Sequence, residues 1–358
     1  MAKLRFMTFG LIAMAAVFAG TAAASSSDWS AVDRLLGAHY PHDGPGAYAI
    51  AAIGDRVIFS KGYGQANLEL HTAFTPDSVL RIASLTKQFT SVAVLLLVQD
   101  GKLTLDEALG QAWPQCPRQW CAITIRQLLS HTSGITDDLA PLYPQIKTDL
   151  TVDQLLAVYA GLPVLSPPGA KWLYSNVNFW ILGKVVEIES GASYADFVRH
   201  RVLVPAMTHT RYGSLEAIIV GRAAGYERDA DGSWENARYF SATLGYSAGG
   251  FLSTPADMAI WYAALSRGAI LSRDSIRTAL TAVDTSDGKS TGYGLGWYVS
   301  DIGGEHVAYH GGSTFGFEAS VYWVPSRSIF AGVFKNRSGD DGEPQAEARA
   351  LLGVAMSR

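Results

Sequence analysis

Between Phe89 and Val98 the chain reads Phe-Thr-Ser-Val-Ala-Val-Leu-Leu-Leu-Val, which is apolar on nearly every side of a helix. A helix without a polar stripe cannot lie on a surface, so the rest of the chain must build a shell around it. Gly101 supplies its C-terminal stop. The segment ahead of it is polar, and Ser84 and Lys87 stand there three residues apart, on one face. With 358 residues, 48% hydrophobic and 17% charged, there is enough chain for that shell, arranged as two lobes around one core.

The shell is α/β. Residues 46–53 and 56–60 flank Gly54-Asp55 and read as a β-hairpin. Residues 320–324 and 329–334 flank Pro325-Ser-Arg-Ser328 and read as a second. Hairpins at both ends predict one antiparallel sheet built from the two termini. Helical apolar spacing runs through 123–133, 152–161, 177–190, 193–203 and about 344–355. The expected architecture is an antiparallel sheet flanked by terminal helices. A mainly helical lobe, about 104–244, is inserted, leaving a cleft between the lobes within a single domain spanning 25–358.

The first 24 residues read as a leader. Lys3 and Arg5 precede the uncharged run Phe6 to Gly20, and Thr21-Ala-Ala-Ala24 offers small residues for cleavage. An uncleaved anchor is the bland alternative, but the run is shorter than the ~20 residues of a spanning helix. The expected location is periplasmic or secreted, with no stable membrane insertion after cleavage. Removing two of the 28 basic residues leaves 26 against 32 acidic ones, a balance of −6. That sign and the lack of a basic stripe argue against nucleic acid and for a small-molecule or short-peptide substrate. Cys116 and Cys121 can close a short disulfide loop in an oxidising compartment or remain free thiols.

Three elements carry chemistry. Ser84 is a poor nucleophile unless a base takes its proton, and a lysine serves only where its surroundings adjust its pKa. Helix N-terminal amides beside it suit an oxyanion. Tyr174 and Asn176, two residues apart in an extended loop, face one side. The phenol suits proton transfer, and the amide suits a substrate amide. His310-Gly311-Gly312-Ser313 ends an alternating stretch, and its glycines let substrate lie against backbone. Each has a plainer reading: Ser84 or Asn176 as a helix cap, Tyr174 as core, His310 as a solvated strand end. His306 and His310 as metal ligands lack an acidic third partner, and no cofactor is implied.

In this order the elements resemble the serine β-lactamase and penicillin-binding protein superfamily, in the branch of class C β-lactamases, D-aminopeptidases, D,D-peptidases and related esterases. Leu128-Leu-Ser-His-Thr-Ser-Gly-Ile135, Ser247-Ala-Gly-Gly-Phe-Leu-Ser-Thr254 and Gly292-Tyr-Gly-Leu-Gly-Trp297 add to the likeness, which covers about residues 30–340. The resemblance implies a β-lactamase/transpeptidase-like fold and an acyl-enzyme on Ser84, polarised by Lys87. It further implies Tyr174 as acylation base, Asn176 on the substrate amide, and the amides of Ser84 and Ser313 as oxyanion hole. The implied activity is that of an esterase, D-aminopeptidase, D,D-peptidase or β-lactamase, or of a penicillin-binding protein that acylates without turnover. One departure bears on substrate: class C β-lactamases have Lys-Thr-Gly where this chain has His310-Gly311-Gly312, so the cation that pairs with a substrate carboxylate is missing. Lys289-Ser-Thr-Gly292 precedes the Gly292–Trp297 stretch and is a decoy.

Overall fold

A computed structural model describes residues 29–358 except 139, 215 and 340–342; the leader expected at 1–24 lies outside the described residues. Six antiparallel strands form the main sheet, in the order Tyr298–Ile302, Glu305–Thr314, Phe317–Val324, Ile329–Lys335, Ala47–Ile53, Arg56–Tyr63. The two predicted hairpins meet at its centre, where Ala47 pairs with Lys335 and Ile53 with Ile329.

The strand Ala47–Ile53 shows why the termini come together. Its side chains alternate between two faces. Ala47, Ala49 and Ala51 join a core with Val32, Leu36, Leu351 and Leu352, from the terminal helices Trp29–His39 and Pro344–Met356. Tyr48, Ile50 and Ala52 join the larger core shared with the helical part. Alanines on the first face let both helices lie close, and both faces are dry.

On the other side stands the helix Thr86–Gln99, buried at every residue from Thr86 to Leu97. Phe89 packs edge-on against Phe251 and Trp261, with ring centroids 5.5 and 4.8 Å away. Two of its polar side chains are held locally: Thr90 donates to the Ser247 carbonyl at 2.6 Å, and Tyr262 donates to Gln88 Oε1 at 2.6 Å. Against it lie the helices Asn176–Ser190 and Ala242–Gly249, with Val152–Tyr159 packed on those two, while Pro255–Ser266 packs against the sheet.

Two expected helices come out differently. The segment 123–133 is helical only over Ile125–Leu129. Thr124 caps its start reciprocally with Gln127, and His131 at φ 59° turns the chain out of the helix. The segment 193–203 is a short helix, Tyr194–Phe197, that widens into a π turn over Val198–Val202. Cys116 and Cys121 are joined as a disulfide, with Cα atoms 5.7 Å apart. Among the described residues no helix is long and apolar enough to cross a membrane.

Because Phe89 fills the middle of this core, Phe89→Ala is expected to lower stability by about 3–5 kcal/mol. A urea titration followed by tryptophan fluorescence checks the figure. A loss below about 1 kcal/mol would mean that the helix is not the centre of the packing.

Candidate active site

The chain enters the site through a strained turn. Ala83 has φ 46°, a left-handed conformation that a residue with a Cβ rarely takes. Ser84 follows in the 3₁₀ turn Ala83–Leu85, which runs into the buried helix. Ser84 is not the helix cap; that position is Leu85. The strand Glu305–Thr314 passes directly behind this turn. A Cβ on Gly312 would collide with the Ile82 carbonyl and stand 3.1 Å from the Ser84 nitrogen, so only glycine fits there.

Ser84 Oγ lies between an amine and a phenol. Lys87 Nζ is 3.1 Å away, and the Tyr174 hydroxyl donates to it at 2.9 Å. Lys87 is fully buried. Its amine also donates to Asn176 Oδ1 at 2.7 Å and to the Ala248 carbonyl at 3.0 Å. The Tyr174 and Phe179 rings stand 4.8 and 5.5 Å from the nitrogen. Asn176 opens its helix but does not cap it; Ser175 holds the cap position.

Asp137 completes the cluster. Its Oδ1 accepts the Asn176 backbone N–H at 2.5 Å, and its Oδ2 accepts the Asn176 side-chain amide at 3.2 Å. That pairing fixes which way the amide faces, so the Asn176 carbonyl must point at Lys87. Both ends of Asn176 are therefore engaged inside the protein, which leaves one amide hydrogen for a substrate.

Burial dominates the electrostatics. It pushes the Lys87 amine far below the ordinary lysine value of 10.5, while the Asp137 charge pulls in the opposite direction. Burial likewise pushes Asp137 up, against the hydrogen bonds from Asn176 and the attraction of Lys87. Desolvation raises the Tyr174 phenol well above 10, only partly offset by its bond to Ser84. A neutral Lys87 has two N–H donors and one lone pair. With the donors committed to Asn176 and Ala248, the lone pair faces Ser84 Oγ. The Tyr174 phenol, kept protonated by burial, donates to Ser84 Oγ.

His310 is buried, not solvated, and desolvation followed by the nearby Lys87 charge pushes it down to about 3. Its Nε2 is 3.1 Å from the Tyr293 hydroxyl and its Nδ1 2.6 Å from the Gly311 carbonyl. A neutral ring donating from Nδ1 and accepting at Nε2 satisfies both contacts and offers no charge. Gly311 and Ser313 are exposed on the same strand. The decoy Lys289 is a surface residue paired with Asp287 at 2.6 Å. His306 bonds the Leu280 carbonyl at 2.9 Å, away from His310. Among the described residues no group of three or more His, Cys, Asp and Glu side chains could hold a metal ion.

Sequence reasoning passed over Asp137, the Ala248 carbonyl, Tyr293 and His131. His131 is buried and accepts the Ser175 N–H at 3.1 Å, with its ring 4.4 Å from that of Tyr174. It thereby sets the loop that presents the phenol. Asp137 lies two residues after the stretch Leu128–Ile135, whose likeness to the family was the available signal.

The chain belongs to the β-lactamase family: the family model described as Beta-lactamase matches residues 32–355. Penicillin-binding protein 4* of Bacillus subtilis (strain 168) is 28% identical over 284 residues, 74% of this chain and 62% of that protein. Protein flp of Staphylococcus aureus (strain COL) is 25% identical over 83% of this chain and 60% of its own length. The chain thus spans about three-fifths of these two relatives. Among solved structures, a D-stereospecific amidohydrolase from Streptomyces sp. superposes with TM-score 0.76 at 25% identity, covering 92% of this chain and 98% of that one. D-amino acid amidase from Ochrobactrum anthropi SV3, complexed with L-phenylalanine amide, gives 0.78 at 24% identity, covering 92% and 97%, and shares the fold.

The Asp137 charge raises the Lys87 pKa, so removing it must lower that pKa further. In Asp137→Asn the acid limb of Ser84 acylation is expected to move to lower pH, since the neutral amine persists to greater acidity. The plateau rate should fall about tenfold or more as Asn176 loses its anchor. The pH profile of acylation by an activated ester reads both effects. A limb that stays put or moves to higher pH refutes the coupling.

Proposed function

We propose that this protein is an exported serine hydrolase that forms an acyl-enzyme on Ser84 and cleaves an ester or a D-amino-acid-type amide or peptide. The observation that carries the reading is Ser84 Oγ held at 3.1 Å from a buried amine and 2.9 Å from a phenol. The family match and the amidohydrolase relative support hydrolysis through a serine.

The steps follow from the contacts. Neutral Lys87 takes the Ser84 proton as Oγ attacks the substrate carbonyl, and a tetrahedral oxyanion forms. The amides of Ser84 and Ser313 stabilise that charge. The Tyr174 hydroxyl gives its proton to the leaving oxygen or nitrogen as the bond to the acyl carbon breaks. The proton gained by Lys87 then passes to the Tyr174 phenolate, restoring the phenol and the neutral amine. Water then attacks the acyl-enzyme, deprotonated through the same pair, and Ser84 is released. Asn176 supplies its remaining amide hydrogen to the substrate. The neutral His310 weighs against efficient β-lactam turnover, because capture of a carboxylate at this strand lacks a cation. Export rests on the leader at residues 1–24, whose removal after Ala24 is read by N-terminal sequencing of the secreted protein.

A fluorophosphonate probe is expected to add one adduct on Ser84, seen by intact mass, and none on Ser84→Ala. Tyr174→Phe should lower kcat for p-nitrophenyl esters and D-amino-acid anilides by about 10²–10⁴. Retention of both adduct and turnover in Ser84→Ala would sink the proposal. Cephalosporin hydrolysis as fast as that of esters would instead make the protein a true β-lactamase.

A further inference from the structure

A second cluster of polar groups lies beside the nucleophile turn. The short strand Leu80–Arg81 pairs with Phe251–Ser253, which pairs in turn with Arg211–Tyr212. This sheet frames a pocket whose walls include Arg81, Gly213, Ser214, Arg222, Gly249 and Gly250. Arg81 is partly buried, and Arg222 lies at the exposed rim.

The charges in this pocket do not balance. The groups that act on the Arg81 guanidinium are Arg222, a like charge, and the Tyr239 phenol; no carboxylate is among them. Neither arginine forms an ion pair with an acid among the described residues. The Tyr239 hydroxyl is buried without a hydrogen-bond partner, and both guanidiniums act on it. Asp149, which also acts on Tyr239, accepts the Ser241 hydroxyl. Two guanidiniums brought together with one of them desolvated are unfavourable unless an anion joins them. The fork of a guanidinium matches the two oxygens of a carboxylate, and a phenol adds a further donor.

One wall residue, Gly249, adjoins the catalytic groups. Gly249 follows Ala248, whose carbonyl holds Lys87. A Cβ on Gly249 would lie 3.6 Å from the carbonyl carbon of Ala83, the residue before Ser84. We propose that Arg81 and Arg222 form a subsite for a carboxylate carried on the acyl group of the substrate, so that the hydrolase selects acidic acyl chains. This rests on the acyl-enzyme reading above and names the substrate class for the same site.

The test compares mono-p-nitrophenyl glutarate with p-nitrophenyl butyrate on the full-length protein. Wild type is expected to favour the glutarate ester about tenfold in kcat/KM. The ratio of the two esters should fall towards one in Arg222→Gln, in Gly249→Val and in wild type at high salt. A wild-type ratio near one, or a ratio untouched by Arg222→Gln, overturns the proposal. If Ser84 accepts neither ester, the hydrolase reading has failed, and the pocket is probed alone by phenylglyoxal labelling of Arg81 and Arg222 with and without free glutarate. Protection of both arginines then upholds the carboxylate site, and equal labelling overturns it. Protection accompanied by equal turnover of the two esters marks a site for a solution anion and also refutes the substrate role.

Discussion

A lysine with no exposure to solvent is the constraint around which this site is built. Taking an ammonium out of water costs several kcal/mol unless hydrogen-bonding partners replace the water. Here the partners are Ser84, the Asn176 carbonyl and the Ala248 carbonyl, with Asp137 standing behind Asn176. They come from the buried helix and its entry turn, the Tyr174 loop, the helix Ala242–Gly249 and the loop after His131. Four remote segments are thus tied together by the need to solvate one amine. The same burial leaves that amine close to neutral, which is what lets it accept a proton. Stability and reactivity pull in opposite directions at this atom, and the Asp137 carboxylate sets the balance.

The parts of this arrangement that were readable from sequence are those that leave a side-chain pattern. The apolar runs 46–53 and 329–334, each flanking turn residues, made the sheet legible; both strands are buried on both faces, and each face packs different partners. The apolar run 89–98 located the central helix, and the residues singled out by spacing, Ser84, Lys87, Tyr174 and Asn176, lie within hydrogen-bonding reach of one another. Features carried by the backbone left no such mark. Alanine at position 83 gives no warning of φ 46°, and the carbonyl of Ala248 is chemically like any other. The end of the helix after Leu129 depends on His131 turning into a left-handed conformation, which apolar spacing cannot show. Asp137 sits in a loop without periodicity, so only its three-dimensional neighbours distinguish it from the exposed Asp138 beside it.

His310 shows how burial overrides residue type. Read as sequence, a histidine in place of lysine lowers the charge at the third element; read as structure, it removes the charge altogether. Aromatic rings crowd it: Tyr298 at 5.4 Å, Tyr293 at 6.0 Å and Tyr174 at 6.5 Å between ring centres. Among these neighbours there is no carboxylate to stabilise an imidazolium, and Lys87, whenever protonated, adds a like charge. A lysine side chain in the same place would meet the same desolvation and the same repulsion, so the wall opposite Tyr174 is chemically suited to neutral groups.

It follows that charge recognition and proton transfer are kept apart in this cleft. An unscreened cation next to Lys87 would depress its pKa further and loosen its hold on Ser84, since like charges in a low-dielectric site interact strongly. Placing positive charge at Arg81 and Arg222, neither of which is among the charges acting on the amine, avoids that penalty. A guanidinium stays protonated where a buried ammonium does not, so the two cationic residue types divide the work by their intrinsic proton affinity. The catalytic amine must be able to lose its proton, whereas a residue that holds an anion must not, and the arrangement of lysine inside and arginine at the flank meets both conditions.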